Sequence, residues 1–265
     1  MQTTVDAVVV GAGIGGLAAA RALVSHGREV VVLEARDRVG GRLDSFPIGE
    51  VGVDLGATWF WANEPRVTGL IAELGLETHE QYIAGDALYQ DPSGVHRLSG
   101  NPIDAPARRM VRGMRHLADS MAGTLPDGTI RLAHAISTIR LTETGVVVVE
   151  GAFGSASARA VVLALPPALA VATIAFEPAL PEALARMAAI TPVWMGAMTK
   201  VVVRYERAFW RDAGLAGSAM SHVGPMRELH DMSGPDGAVP ALFGFVPTIT
   251  PGAPTVTEES VRGQL

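Results

Sequence analysis

Apolar positions come in short runs broken by glycine and polar turns, and the first run sets the pattern. Val5 to Val10 is apolar except at Asp6; it meets Gly11-Ala12-Gly13-Ile14-Gly15-Gly16 and then an alanine-rich segment, Leu17 to Ser25. This order predicts strand, tight turn and helix. A second strand, Glu29 to Leu33, ends at Glu34. Val67, Leu70, Ile71 and Leu74 predict a helix over 64–74, closed by Gly75. The region 77–100 is mixed and turn-rich, with short strands at Tyr89 and Val95 around Asp91-Pro92-Ser93-Gly94. Over 107–121, Met110, Val111, Met114, Leu117 and Met121 share one helical face, a stripe that reads as core packing. Strands are predicted from Ile130 and over 139–142, 146–149 and 158–165, the last running into Pro166-Pro167. A helix over 182–190 and strands over 197–206 and 239–246 follow, with a helix beginning near Thr257.

The glycine run carries the first chemistry. Gly11 allows the turn, Gly13 lets backbone approach a pyrophosphate, and Gly16 lets the helix pack on its strand. The amides of the helix N-terminus then face an anion. Glu34 stands eighteen positions after Gly16, where an acid accepts hydrogen bonds from a ribose diol and repels a 2′-phosphate. The ligand is an adenosine diphosphate, and the fingerprint alone leaves NAD and FAD open. Arg36, Arg38 and Arg42 follow directly and suit a diphosphate, the plainer alternative being a solvated basic loop. Gly40 and Gly41 are expected to open a further helix, with Arg42 in its first turn reaching the pyrophosphate.

Composition narrows the class. With 265 residues, 48% of them hydrophobic, the chain can bury one large core or two ordinary ones. A net charge of −6 and the lack of basic tracts argue against nucleic-acid and anionic-membrane partners. Residues 160–176 are uncharged and approach membrane-spanning length, but Pro166-Pro167 in their middle makes a buried strand running into a turn and helix the expectation over a membrane span. No basic leader precedes the first strand, so a cytoplasmic location is expected. The absence of cysteine excludes thiolate metal sites and a cysteine-linked flavin, and the histidines lack metal-ligand spacing. Lys200 is the one lysine among 21 basic residues, which on composition alone reads as a snorkelling surface side chain.

Three stretches together resemble the flavin-dependent amine oxidase family, the monoamine and polyamine oxidases. Glu34-Ala35-Arg36-Asp37-Arg38-Val39-Gly40-Gly41-Arg42 is similar to that family's signature, which makes the expected cofactor FAD, held without a covalent bond. Gly56-Ala57-Thr58 resembles the segment passing the flavin ring, and Trp59 takes the place of an aromatic facing the substrate. Met198 to Arg211 is similar to the strand carrying a lysine that holds a water beside flavin N5; Lys200 falls on that lysine, and Phe209-Trp210 on the aromatic pair after it, with Ala208 departing from the usual proline. The resemblance further implies that Ile136 meets the adenine through its backbone.

The implied fold is α/β, a Rossmann-like FAD domain with a parallel sheet (1–76 and 129–169) and a substrate domain on an antiparallel sheet (77–128 and 170–256), with 257–265 starting a C-terminal segment. The family's last FAD-contacting segment is not in this sequence. An early end, a partner chain supplying the segment, or a divergent non-catalytic protein each remain open; an incomplete ordinary enzyme is preferred, since a finished fold rarely stops in mid-helix. The implied activity is oxidation of a small amine to an imine, with O2 reoxidising the flavin to give H2O2. A flavin desaturase or protoporphyrinogen-oxidase-like dehydrogenase is the nearest alternative, and a non-catalytic FAD-binding subunit the more distant one.

Overall fold

The computed structural model describes residues 4–193, 195–247 and 257–264. Residues 1–3, at the start of the expected FAD domain, and 248–256, at the end of the expected substrate domain, lie outside them. The chain forms two compact units, Met1–Leu43 with Leu117–Val193, and Asp44–His116 with Trp194–Leu265. These bounds differ from the expected domains, which were drawn around cofactor motifs rather than around packing.

The first unit is built on a seven-stranded sheet. Its order is Ala175–Glu177, Ile136–Leu141, Val147–Gly151, Gly154–Leu163, Val5–Val10, Val30–Leu33, Ile130–Arg131. Val5–Val10 lies inside the sheet and pairs in parallel with both neighbours, Val8 opposite Val31 on one side and Val161 on the other. Strands buried on both faces need continuous apolar runs, and Val8, Val9 and Val32 are fully buried. Val147–Gly151 pairs antiparallel on both sides, so the expected parallel sheet is a mixed one. Its hairpins arise because the connections are too short for a crossover helix.

The second unit carries a six-stranded sheet in the order Met198–Arg204, Ala241–Pro247, Glu228–Asp231, Leu215–Ser221, Asp86–Asp91, Gly94–Leu98. It is antiparallel except where Leu215–Ser221 runs parallel to Asp86–Asp91. Phe243, Met232, Ala241 and Val53 form one core cluster, with Trp59, Val202 and Phe245 packed on it.

Two expected helices are corrected. Residues 40–42 form a turn, with the Leu43 amide donating to the Gly40 carbonyl at 2.9 Å, and the next regular element is the strand Ser45–Ile48. The helix expected over 107–121 is confined to Arg115–Ala122, because Arg108–Met110 is a strand paired with Thr78–Glu80. Arg108 also exchanges backbone hydrogen bonds with Phe60, and Gly113 at φ +79° turns the chain where a helix would continue. The methionines remain core residues: Met110, Met114 and Met121 are all buried. The helix expected over 182–190 is found as Glu182–Ile190, and that near Thr257 as Glu258–Gln264.

Candidate active site

In the first unit, Val5–Val10 delivers the chain to Gly11 at φ +98° and then to the helix Ile14–Ser25. A Cβ on Gly11 would lie 2.9 Å from the Ala164 carbonyl oxygen, and one on Gly16 would lie 1.9 Å from that of Gly11. Gly13 and Gly15 differ, since a Cβ on either meets nothing within 4 Å. No side chain caps this helix. Its first-turn amides are therefore left for a ligand or solvent.

Glu34, Ala35 and Arg36 follow directly on the strand Val30–Leu33. The buried Glu34 carboxylate accepts from the Ala12 amide at 2.7 Å through Oε2 and from the Arg36 amide at 3.0 Å through Oε1. Each oxygen keeps a lone pair for another donor. The second glycine pair folds against the first: Gly40 donates to the Ala12 carbonyl at 2.8 Å, and a Cβ on Gly41 would lie 3.3 Å from the Gly13 Cα. Arg36 and Arg38 donate to loop carbonyls, Gly41 among them, whereas Arg42 is exposed, with no partner among the described residues. On the other side of Glu34, His134 and Ala133 donate to the carbonyls of Glu34 and Arg36 at 2.8 Å each. Ile136 then opens its strand.

In the second unit, the strand Met198–Arg204 puts Lys200 opposite Phe245. The Lys200 ammonium donates to the Gly56 carbonyl at 3.1 Å and to the Thr58 hydroxyl, and stands 4.2 Å from the centre of the Phe243 ring. Burial depresses its pKa to about 7; Asp54 opposes the shift and Arg109 adds to it. The surface reading of the lone lysine is thereby set aside. Ala57 is exposed beside this anchor. Trp59, half-buried, is 5.2 Å from Phe243 and 4.9 Å from the His230 ring, centre to centre. Phe209 packs edge-on against Trp210.

Several polar residues buried here carry no local signal in the sequence. Asp54 is fully buried; its Oδ1 accepts from Ser45 Oγ at 2.6 Å and the Met114 amide at 2.7 Å, while Oδ2 has no partner. Asp231, also fully buried, takes Trp210 Nε1, Arg211 and the Ser233 amide. Arg109 donates to the Ser233 carbonyl at 2.9 Å and the Met232 carbonyl at 3.0 Å. His230 meets Asp104 at 2.7 Å and Glu228 at 3.6 Å. Burial works against its imidazolium, but the two carboxylates prevail and hold its pKa above the ordinary histidine value. Among the described residues no helix is long and apolar enough to cross a membrane.

Asp54 yields a prediction. Burial raises its pKa, so the folded chain keeps a proton that the unfolded chain releases above the ordinary carboxylate value of 3.8. Stability is then lost as pH rises from there through the folded pKa. Asp54→Asn keeps an acceptor for Ser45 and Met114 and removes the titration, so its stability relative to the parent should rise with pH over that window. Asp54→Ala strands both donors and should cost about 2 kcal/mol. Urea unfolding from pH 4 to 7 checks both.

Comparison with known proteins now adds the family. The profile described as flavin containing amine oxidoreductase matches residues 14–112 and 86–259. The chain belongs to that family. Putrescine oxidase of Kocuria rosea is 27% identical over 350 residues, covering 91% of this chain and 73% of its own length. Amine oxidase [flavin-containing] A of Equus caballus is 26% identical, covering 91% of this chain but 64% of its own. The stretch matched in the first exceeds this chain's 265 residues, so that relative carries internal segments absent here. Among solved structures, cyclohexylamine oxidase from Brevibacterium oxydans IH-35A superposes with a TM-score of 0.87 at 21% identity, covering 99% of this chain and 80% of its own, a likeness of fold.

Proposed function

We propose that this member of the family binds FAD without a covalent bond and oxidises a small amine to an imine. The observation that carries the reading is Lys200, a half-buried amine tied to Gly56 and Thr58 and standing over Phe243, which packs against Trp59. The other support is the fit of the first unit to a dinucleotide: uncapped helix amides, open space over Gly13 and Gly15, and a carboxylate pinned at the end of the second strand. FAD, when bound, would accept the amine's α-hydrogen as hydride at N5 and pass the electrons to O2, releasing H2O2.

The chain's own residues would do the following. Gly13, Ile14, Gly15 and Gly16 offer amides to the diphosphate, with Arg42 the cation free to neutralise it. Glu34 accepts from the ribose diol, and the Ile136 backbone serves the adenine. Gly56, Ala57 and Thr58 are assigned to the ring. Lys200, able to lose its proton near neutrality, holds a water where a proton must be delivered or taken. Trp59 presents its face to the amine. A partner chain supplying further FAD contacts belongs to this proposal. Putrescine is the first amine to try, being the substrate in the name of one relative.

The test is an absorbance spectrum after incubation with FAD and desalting, followed by amine-dependent peroxide assays. Flavin bands that stay with the chain, and peroxide formed with an amine, are the expected results. Bands without turnover of any amine would instead favour a non-catalytic FAD-binding subunit, and a colourless chain would overturn binding by these residues alone.

A further inference from the structure

We propose that Gln81 is a positioning residue for Trp59, fixing the plane of the indole; the consequence for substrate rests on the reading of Trp59 given above. Gln81 is buried, and its amide has one workable orientation. Nε2 donates to the Asp231 carbonyl at 2.8 Å and the Tyr82 carbonyl at 3.1 Å, which leaves Oε1 to accept from Trp59 Nε1 at 2.9 Å. Turning the amide over would set oxygen against two carbonyls and an NH2 group against an N–H.

The far end of this link is tied at several points. The Asp231 carboxylate is held by Trp210 Nε1 at 2.8 Å, by Arg211 Nε at 3.0 Å and by the Ser233 amide at 2.7 Å. Its carbonyl, in the strand Glu228–Asp231, is the point from which Gln81 reaches the indole. The other contacts of Trp59 are apolar and aromatic: it packs on the core cluster of Val53, Met232, Ala241 and Phe243, with His230 edge-on at 84° and Phe243 tilted at 53°. Such contacts tolerate sliding and rotation, whereas a hydrogen bond to the indole nitrogen sets both. Phe243 also carries the Lys200 ammonium, so a tilt of the Trp59 ring would be felt by the wall that Lys200 shares.

Indole 15N spectra of the flavin-free 265-residue chain read this directly, the Trp59 signal being identified by its loss in Trp59→Phe. Gln81→Met, similar in length and without polar hydrogens, should shift the Trp59 signal and speed its exchange by roughly tenfold, with the Trp210 signal in place. In the FAD-loaded enzyme, with putrescine and benzylamine as probes, Gln81→Met should raise KM by roughly tenfold at little cost in kcat, and should add nothing in a Trp59→Phe background.

Should Gln81→Met fail to fold, Trp59→Phe supplies the second arm. There the Gln81 amide protons should stay slow to exchange, bound to Asp231 and Tyr82. An unmoved Trp59 signal, a loosened Gln81 amide in Trp59→Phe, or an equal rise in KM with and without Trp59 overturns the proposal. A moved signal with no amine turnover in the parent chain upholds the positioning and sinks the amine-oxidising reading instead.

Discussion

On the proposed reading, replacing Lys200 by Met is expected to slow reoxidation of the reduced flavin by O2 roughly a hundredfold, the scale of losing one positioned proton donor or acceptor, and to leave FAD bound. The residues proposed to hold the diphosphate and ribose belong to the other compact unit. The place of the Lys200 amine is set by the Gly56 carbonyl, the Thr58 hydroxyl and the Phe243 ring, and methionine fills a similar volume without donating to any of them. Stopped-flow oxidation of the reduced enzyme by O2 reads the effect, and unchanged kinetics would remove Lys200 from the mechanism.

The same substitution has a signature that needs no flavin. Lys200 releases its proton at about 7 in the folded chain, against 10.5 ordinarily. Between those values the unfolded chain binds more protons, so stability rises with pH. Lys200→Met lacks that increment. The variant should therefore be the more stable one near pH 7 by roughly 2 kcal/mol, a figure reduced for the lysine's contact with solvent, and its advantage should shrink towards pH 10.

What the sequence displayed was local. Val5–Val10, the glycine turn and Glu34 are legible because strand, turn and acid follow one another within one unit, and Glu182–Ile190 because helical spacing and its own ends agree. The methionine stripe misled for a physical reason: helical spacing records burial, and Met110 is buried in a strand paired to Thr78–Glu80. Partners from distant segments left no trace. Gln81 meets the Asp231 carbonyl across 150 positions, and His230 meets Asp104 across 126. A buried arginine such as Arg109 looks in the sequence like any other of the chain's arginines until the carbonyls of Met232 and Ser233 arrive.

The glycines of the first turn are expected to divide by function under a single test, Gly→Ala at each. At Gly16 the new methyl would lie 1.9 Å from the Gly11 carbonyl oxygen and 3.2 Å from the Ala164 Cβ. Backbone cannot swing aside as a side chain can, so the helix Ile14–Ser25 must lift from its strand. The cost should reach about 3 kcal/mol, at the upper end for overpacking, and urea unfolding should show it with or without FAD. At Gly13 the backbone is extended, φ −69° and ψ 173°, and the methyl meets nothing within 4 Å. Gly13→Ala should leave stability within about 0.5 kcal/mol, as for a surface change away from any contact. If that open space is where the diphosphate approaches the helix N-terminus, the same methyl weakens FAD roughly a hundredfold by holding the anion off the amides. Titration with FAD by flavin fluorescence separates the two. Unaltered affinity in Gly13→Ala would mean the space above the turn is solvent and the cofactor lies elsewhere; lost affinity at undiminished stability would assign the open side of the turn to the ligand and its packed side to the fold.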